Sequence, residues 1–568
     1  MVEKKNRNNN PSLGRFLISA LLCILSLGAD AARAKIEWHT YVQPDGAVLT
    51  LTLSGDEHFS CYRDIEGRMY SRDSLGVFHL LDAEQIRQQM ALTRSELPDL
   101  SFEHIQWDPN RTYRQLVVLV SFADCDFRMD DPQTTYDAMF NRSGYNQRNG
   151  PGCVADYFRD QSNGLFNLQF DVYGPIKLST SVNSSDNGKY GKQPFWAAIN
   201  QLKETHPEID YSVYDWDGNG TVNQTIFVYA GYTGNQVGIS GYIWPNTSSF
   251  STVTMPDGYT ISKYTASGEL WTNNTSCGIG LICHEFSHSL GLPDIYPTSS
   301  SNPALSIVDE WDLMDGGTFT NYGWCPPNYS PLEKILMGWL TPVELTADTT
   351  ITDLRTVAHG GEVYLVRHND EEFYLLENRQ WESWDYGLPG KGLLVYHVLY
   401  DRNAWVGNSV NNISKQLRYH IVAADNKTYT DWYNYWIDTY GNKYPYASSG
   451  RLNSYLMSKA PYPCLLDTVG TMNRELTDTS VPAAQMYTAD ADGKTMSSKS
   501  ITNIVQNDDG TVSFKFRASP GSGIYSPRSV PSATGIYTLS GRRLPPHTDI
   551  HHLQKGIYIV KGRKIAIF

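Results

Sequence analysis

The sequence predicts an α+β multidomain chain in which a mixed sheet backs one histidine-bearing helix and β-rich modules flank it on both sides. Three observations carry that prediction. Residues 35–110 alternate apolar and polar positions, as in Ala47-Val48-Leu49-Thr50-Leu51-Thr52-Leu53, with breaks at Gly55 and Gly67. Strand-like apolar runs and helical stretches alternate through 111–345, and strand patterns dominate again through 346–516. At 568 residues the chain exceeds a single hydrophobic core. With 40% hydrophobic, 12% aromatic and 19% charged residues it is globular, and a net charge of −14 gives it no general attraction for phosphate backbones. No nucleic-acid partner is expected.

The elements follow in order. Lys4, Lys5, Arg7 and Arg15 precede the apolar run Phe16 to Gly28, which is shorter than the ~20 residues needed to span a bilayer. Ala29-Asp30-Ala31 or Ala32-Arg33-Ala34 then offers small residues for cleavage, so 1–34 reads as a secretory signal peptide. The β-rich module 35–110 is placed as a propeptide-like domain. In 111–345, Gln115 to Phe122 is a buried strand, and a helical stretch near Val154 to Gln161 follows. A strand from Leu165 to Val172, a helix from Phe195 to Thr205 and a strand from Gln224 to Ala230 lead towards the histidines. Residues 346–516, rich in tyrosine and tryptophan, suggest a β-sandwich or jelly-roll module. Within it Glu377-Asn378-Arg379-Gln380 and His397 read as polar groups satisfied by neighbours in strands. A Ser/Pro/Gly-rich linker covers 517–533, and 534–568 makes short strands with basic turns.

The chemistry concentrates in His284-Glu285-Phe286-Ser287-His288-Ser289-Leu290-Gly291-Leu292-Pro293-Asp294. Two histidines four apart on a helix share one face and can aim imidazole nitrogens at one Zn²⁺. Glu285 beside the first is placed as general base for a water that zinc acidifies. Gly291 can take the positive φ that ends the helix, letting Asp294 return as third ligand. Three protein ligands and an open position define a catalytic zinc, and the sheet-backed helix makes 111–345 a zincin-like catalytic domain. Glu333 is the rival third ligand, in a helix that Ser330 could cap and Gly338 could stop. Met314, in Trp311-Asp312-Leu313-Met314-Asp315-Gly316-Gly317, is placed to lie beneath the metal.

A second cation is suggested by Asp215-Trp216-Asp217-Gly218-Asn219-Gly220-Thr221-Val222-Asn223. Asp215, Asp217, Asn219 and Asn223 alternate with a glycine at the sixth position, like the first nine positions of a Ca²⁺ loop. Ile226 stands where the closing acid belongs, so an Asx-rich turn is the competing reading. Of eight cysteines, seven follow the signal peptide, with unreadable connectivity. Cys61, in the propeptide-like module, is a candidate blocking thiolate, against the plainer reading of a buried bystander.

HEFSHSLGLPDIY, WDLMDGG and SPLEKILMGWL together resemble the immune inhibitor A family of secreted bacterial metallopeptidases, peptidase family M6. QPDGAVLTLTLSGDEHF near residue 43, DWDGNGTVNQTIFVYAG near 215 and ENRQWESWDYGLPGKGLLVYHV from Glu377 extend the similarity over most of 43–425. The resemblance implies that the 35–110 module is a propeptide. It departs at Asn246, where the family often carries a histidine after Ile-Trp-Pro. The tail, with Gly535-Ile536-Tyr537 and Gly556-Ile557-Tyr558, is similar to C-terminal sorting segments of Bacteroidetes secreted proteins, which implies export past the outer membrane or retention at the surface.

The expected protein is a secreted or cell-surface zinc endopeptidase made as a latent precursor. It would act as a monomer on protein or peptide substrates after contact with export machinery through its signal peptide and tail. Two readings compete with this: a zinc amidase acting on cell-wall peptide, separable by a casein-versus-peptidoglycan assay, and an inactive surface-binding protein, which would have no reason to keep Glu285.

Overall fold

The computed structural model describes residues 32–34, 37–82, 107–299, 306–431 and 457–518, apart from 57–59, 74, 146, 240, 467–469 and 491–492, and the strands at 536–538, 556–560 and 563–567. Of the signal peptide read over 1–34, residues 1–31 lie outside the described residues, as do residues 519–533 of the linker read over 517–533. The chain is mixed α/β with many sheets and few helices, and it divides into two compact units after Arg517.

The first strands, β1 (Trp38–Val42), β2 (Val48–Gly55), β3 (Ser60–Arg63), β4 (Met69–Arg72) and β5 (Phe78–Leu80), form an antiparallel meander in sequence order. The period-2 pattern puts Leu51 and Leu53 on one face with Tyr62, Tyr70 and Phe78. That face closes over Trp244 from later in the chain. Lys189 donates to Ser60 Oγ at 2.9 Å and Tyr62 to the Val237 carbonyl at 3.3 Å, so the meander is seated on the central domain.

The central sheet runs β7 (Asn167–Lys177), β6 (Thr112–Ser121), β8 (Thr225–Tyr232), β10 (Thr260–Leu270), β9 (Asn246–Thr254). All neighbours are parallel except the edge strand β9, which is antiparallel to β10. Both faces of β6 are covered, which explains its uninterrupted apolar run. Val117 and Leu119 pack with helices α1 (Pro132–Asn141), α2 (Val154–Gln161) and α4 (Gly280–Ser289). Leu116, Val118 and Val120 pack with α3 (Lys192–Thr205) on the other side. The alternation of β6 thus sorts the helices into two layers, with α4 on the first.

Beyond the capped helix α5 (Pro331–Leu336), a second five-stranded sheet has the order β11 (Val343–Glu344), β13 (Tyr364–Arg367), β14 (Glu372–Arg379), β15 (Gly392–Leu399), β16 (Tyr419–Ile421). A three-stranded sheet of β12 (Thr349–Leu354), β20 (Val512–Arg517) and β19 (Ser500–Gln506) and a hairpin of β17 (Cys464–Leu466) and β18 (Thr471–Asn473) complete the first unit. Leu375, Leu394 and Val398 share one core cluster with Phe286 and Met314, so the second sheet and α4 belong to one core, with α5 packed on β14. The Arg379 guanidinium lies on Asp385 and Glu377, and His397 lies 2.7 Å from Glu372, matching their structural reading. The second unit is a three-stranded antiparallel sheet of β21 (Ile536–Thr538), β22 (Gly556–Val560) and β23 (Arg563–Ile567).

Candidate metal centre

Every residue of α4 from Gly280 to His288 is buried. The small residues at its start have a steric reason. A Cβ on Gly280 would stand 2.1 Å from the Thr318 carbonyl, and Gly278 takes φ +69° against Gly323. Ile279 N donates to the Gly323 carbonyl at 2.8 Å, which supplies one of the helix's unpaired N-terminal groups with a partner. At the other end Gly291 has φ +100°, a conformation that costs a glycine little. The chain then turns so that Asp294 faces the helix it has just left.

His284 Nε2 and His288 Nε2 lie 3.2 Å apart, and each is 3.4 Å from Asp294 Oδ1. Ligands ~2.0–2.2 Å from a tetrahedral zinc would be separated by roughly 3.3–3.5 Å, so this triangle fits one such ion. His284 Nδ1 donates to the Leu313 carbonyl at 2.8 Å and His288 Nδ1 to the Leu292 carbonyl at 2.7 Å. Those bonds fix the tautomers and leave both Nε2 lone pairs turned inwards. Burial lowers the His284 pKa, which favours the neutral, ligating ring. Burial alone would raise the Asp294 carboxyl, but the facing histidines outweigh it and hold it well below the usual range. Asp294 Oδ1 is buried and has no hydrogen-bond donor, as an atom reserved for a cation should be.

Asp294 is oriented by a residue that sequence reasoning missed. Asn408 follows the short helix Arg402–Val406 at φ +45°, and its Nδ2 donates to Asp294 Oδ2 at 2.8 Å. Its Oδ1 accepts from Asp294 N at 2.7 Å. The one sequence signal was an Asn-rich turn, which marks a bend and names no partner.

Glu333 stands elsewhere, completing a capping box on α5 in which its Oε2 accepts from Ser330 N at 2.7 Å. Burial, reinforced by the Asp312 carboxylate, pushes its carboxyl well above the usual range. Asp312 Oδ1 in turn accepts from Met314 N at 2.8 Å, in the same turn whose Leu313 carbonyl orients His284. Met314 is fully buried, and its carbonyl accepts from Ile295 N at 2.8 Å, one residue beyond Asp294.

Glu285 is also fully buried, and its Oε1 accepts from the main-chain nitrogen of Ala32 at 2.5 Å. The main chain at Ala32 therefore reaches into the site itself. Cys61 is on β3 opposite Ser54, its burial pushing the thiol up to about 12, which makes it a poor thiolate. All seven described cysteines are unbridged. Asn246 is buried at the start of β9 and donates to the Trp244 carbonyl at 2.7 Å. In the 215–223 loop Asp215, Asn219 and Asn223 serve the loop's own backbone, and Asp217 accepts from Asn219 Nδ2 at 3.0 Å. Asp215 accepts from the amides of Gly218, Asn219 and Gly220, Asn219 from that of Thr221 and Asn223 from that of Trp216.

A sheet-backed helix carrying two histidines and a glutamate, with an aspartate returned across a glycine turn, brings together a donor group that could hold one metal ion. Residues 96–335 match the model of the immune inhibitor A peptidase M6 catalytic domain. The pre-pro-metalloprotease PrtV of Vibrio cholerae serotype O1, strain M66-2, is 21% identical over 253 residues, covering 39% of this chain and 26% of the relative. The PrtV of strain ATCC 39315 / El Tor Inaba N16961 matches to the same extent. The chain thus spans about a quarter of the length of these curated relatives. The domain match and the relatives support a metallopeptidase, a family that implies a metal, usually zinc.

Proposed function

We propose that the protein is a secreted zinc-dependent endopeptidase with His284, His288 and Asp294 as metal ligands and Glu285 as general base. The observation that carries this reading is the triangle of two inward Nε2 atoms and one unpartnered carboxylate oxygen, with a glutamate beside it. Zinc, when bound, supplies a Lewis acid that acidifies water and polarises the scissile carbonyl. Glu285 takes the proton of the attacking water and hands it to the leaving amine as the C–N bond breaks. Leu313, Leu292 and Asn408 keep the three ligands aimed, and the dry packing of α4 strengthens each charge interaction in the site.

Latency belongs to the same reading. The Ala32 nitrogen on Glu285 denies the base to a water, so the group that blocks the site is a main-chain nitrogen and Cys61 is a bystander. Cleavage of the signal peptide after Ala31 would leave this segment in place. The protein is exported, held at the surface or released through its C-terminal strands, acts as a monomer and takes Ca²⁺ at Asp215, Asp217, Asn219 and Asn223.

The test is casein hydrolysis by the expressed chain with and without a chelator, together with zinc content and the N-terminal sequence of the active species. Glu285→Gln is expected to retain zinc and lose cleavage, and His288→Ala to lose the metal. Appreciable hydrolysis by the first variant, or full zinc content in the second, would overturn the assignment.

A further inference from the structure

Residues 32–34 belong to no helix or strand, yet Ala32, Arg33 and Ala34 are 0%, 4% and 2% exposed. Protein main chain and side chains hold them as they would hold a bound peptide. Ala32 N meets Glu285, the Arg33 carbonyl accepts from Asn235 Nδ2 at 3.3 Å, and Ala34 N donates to the Gly55 carbonyl at 2.6 Å. The nitrogen on Glu285 sits where a leaving amine would collect its proton. Ala32 therefore stands for the residue just after a cleaved bond, and Arg33 for the next.

The Arg33 side chain enters a pocket made for it. Its Nη2 lies 2.8 Å from Asp309 Oδ1 and its Nε 3.5 Å from Asp315 Oδ1, and both carboxylates are almost wholly buried. Asp315 is locked in place by Ser306 Oγ at 2.6 Å and by the amides of Ile307, Val308 and Asp309. Asp309 holds a φ of +48°, a strained conformation that the surrounding turn must impose. The floor is Gly316, where a Cβ would stand 2.5 Å from Arg33 Nη2 and 2.3 Å from Asp309 Oδ1. When Arg33 withdraws, two buried carboxylates lose this cation, a costly state that a neutral side chain would not relieve. A guanidinium presents donors in a rigid fork that can reach both acids, whereas a lysine brings a point charge.

We propose that Asp309, Asp315 and Gly316 form a specificity pocket for arginine at the second substrate residue after the cleaved bond. This rests on the endopeptidase reading above. Arg33→Gln in the full chain removes the internal guanidinium and leaves Asp309, Asp315 and Gly316 unaltered, so it is the form to test. Paired fluorogenic peptides would carry arginine or its neutral isostere citrulline at that position. Arginine is expected to raise kcat/KM by about tenfold or more, and Asp309→Asn, added to the same chain, to bring the ratio close to one. Equal rates with both peptides, or a ratio that survives Asp309→Asn, would overturn the pocket while leaving the protease standing. Calorimetry with the tripeptide amide Ala-Arg-Ala against its citrulline analogue reads the pocket without catalysis. Selective binding without any cleavage would sustain the pocket and sink the endopeptidase reading, and equal binding would overturn the pocket.

Discussion

Asn408 and Asp294, 114 residues apart, exchange two hydrogen bonds, one to the side chain and one to the main chain of the aspartate. The amide thereby fixes which carboxylate oxygen faces the histidines. Asn408→Ala should keep the fold and weaken zinc binding by roughly 10–100-fold, the usual cost of losing an outer-shell partner. Competition with a chromogenic chelator measures this, and an unchanged affinity would show that the turn after Gly291 aims Asp294 unaided.

Arg33 is the charge that neutralises the Asp309–Asp315 pair while the segment is docked. Removing one partner of a buried ion pair is more costly than its net worth, because the other is left uncompensated. Arg33→Gln should therefore release the segment and raise casein hydrolysis by the unprocessed chain several-fold, with Arg33→Lys in between. The same basal rate in all three chains would mean that Ala32 alone keeps the site closed.

What the sequence made legible was local. Two histidines at helical spacing, a glycine stop and an aspartate six residues on can be read without knowing the fold, because the three side chains lie within one turn and one loop. The apolar run Leu116 to Val120 in β6 likewise announced a strand covered on both faces. Asn408 could not be read, since its partner lies 114 residues away and is brought to it only by the tertiary fold. The segment at 32–34 looked only like a cleavage site, because small residues that suit a signal peptidase also suit a tight cleft. Glu333 suited both a cap and a ligand in the sequence, and the two are separated by its bond from Ser330 N and by the grouping of Asp294 with the histidines.

Glu372 ties the 487–488 segment to the second sheet, accepting from the amides of Tyr487 and Thr488, from the Thr488 hydroxyl and from His397. Burial would raise its carboxyl, but these donors hold it at about 2, against an ordinary 4.5. A depressed folded pKa means that the group's stabilisation is present above pH 4.5 and is lost as pH falls towards 2. The melting-temperature gap between wild type and Glu372→Gln should therefore narrow through that window. A constant gap would place the effect in packing.

Asp215 organises its loop by accepting from three backbone amides. Asp215→Ala strands those donors and should cost about 1–3 kcal/mol. If the loop also binds Ca²⁺, millimolar calcium will raise the melting temperature of the wild type and leave Asp215→Ala unmoved. No calcium response in the wild type would leave an Asx turn that works by its own hydrogen bonds.

Gly280 offers a test of how tightly the metal helix is registered. Its missing Cβ would lie 2.1 Å from the Thr318 carbonyl and 3.1 Å from Gly323 Cα, both main-chain atoms that cannot swing aside. Alanine is the better helix former by ~1 kcal/mol, so on propensity alone Gly280→Ala would stabilise α4. Overpacking against fixed backbone costs about 1–3 kcal/mol and must displace the helix or the 318–323 segment. Displacement of α4 carries His284 and His288 away from Asp294, so the variant should lose both melting temperature and zinc affinity. A more stable protein with full zinc content would show that the segment yields and that the helix register is not set there.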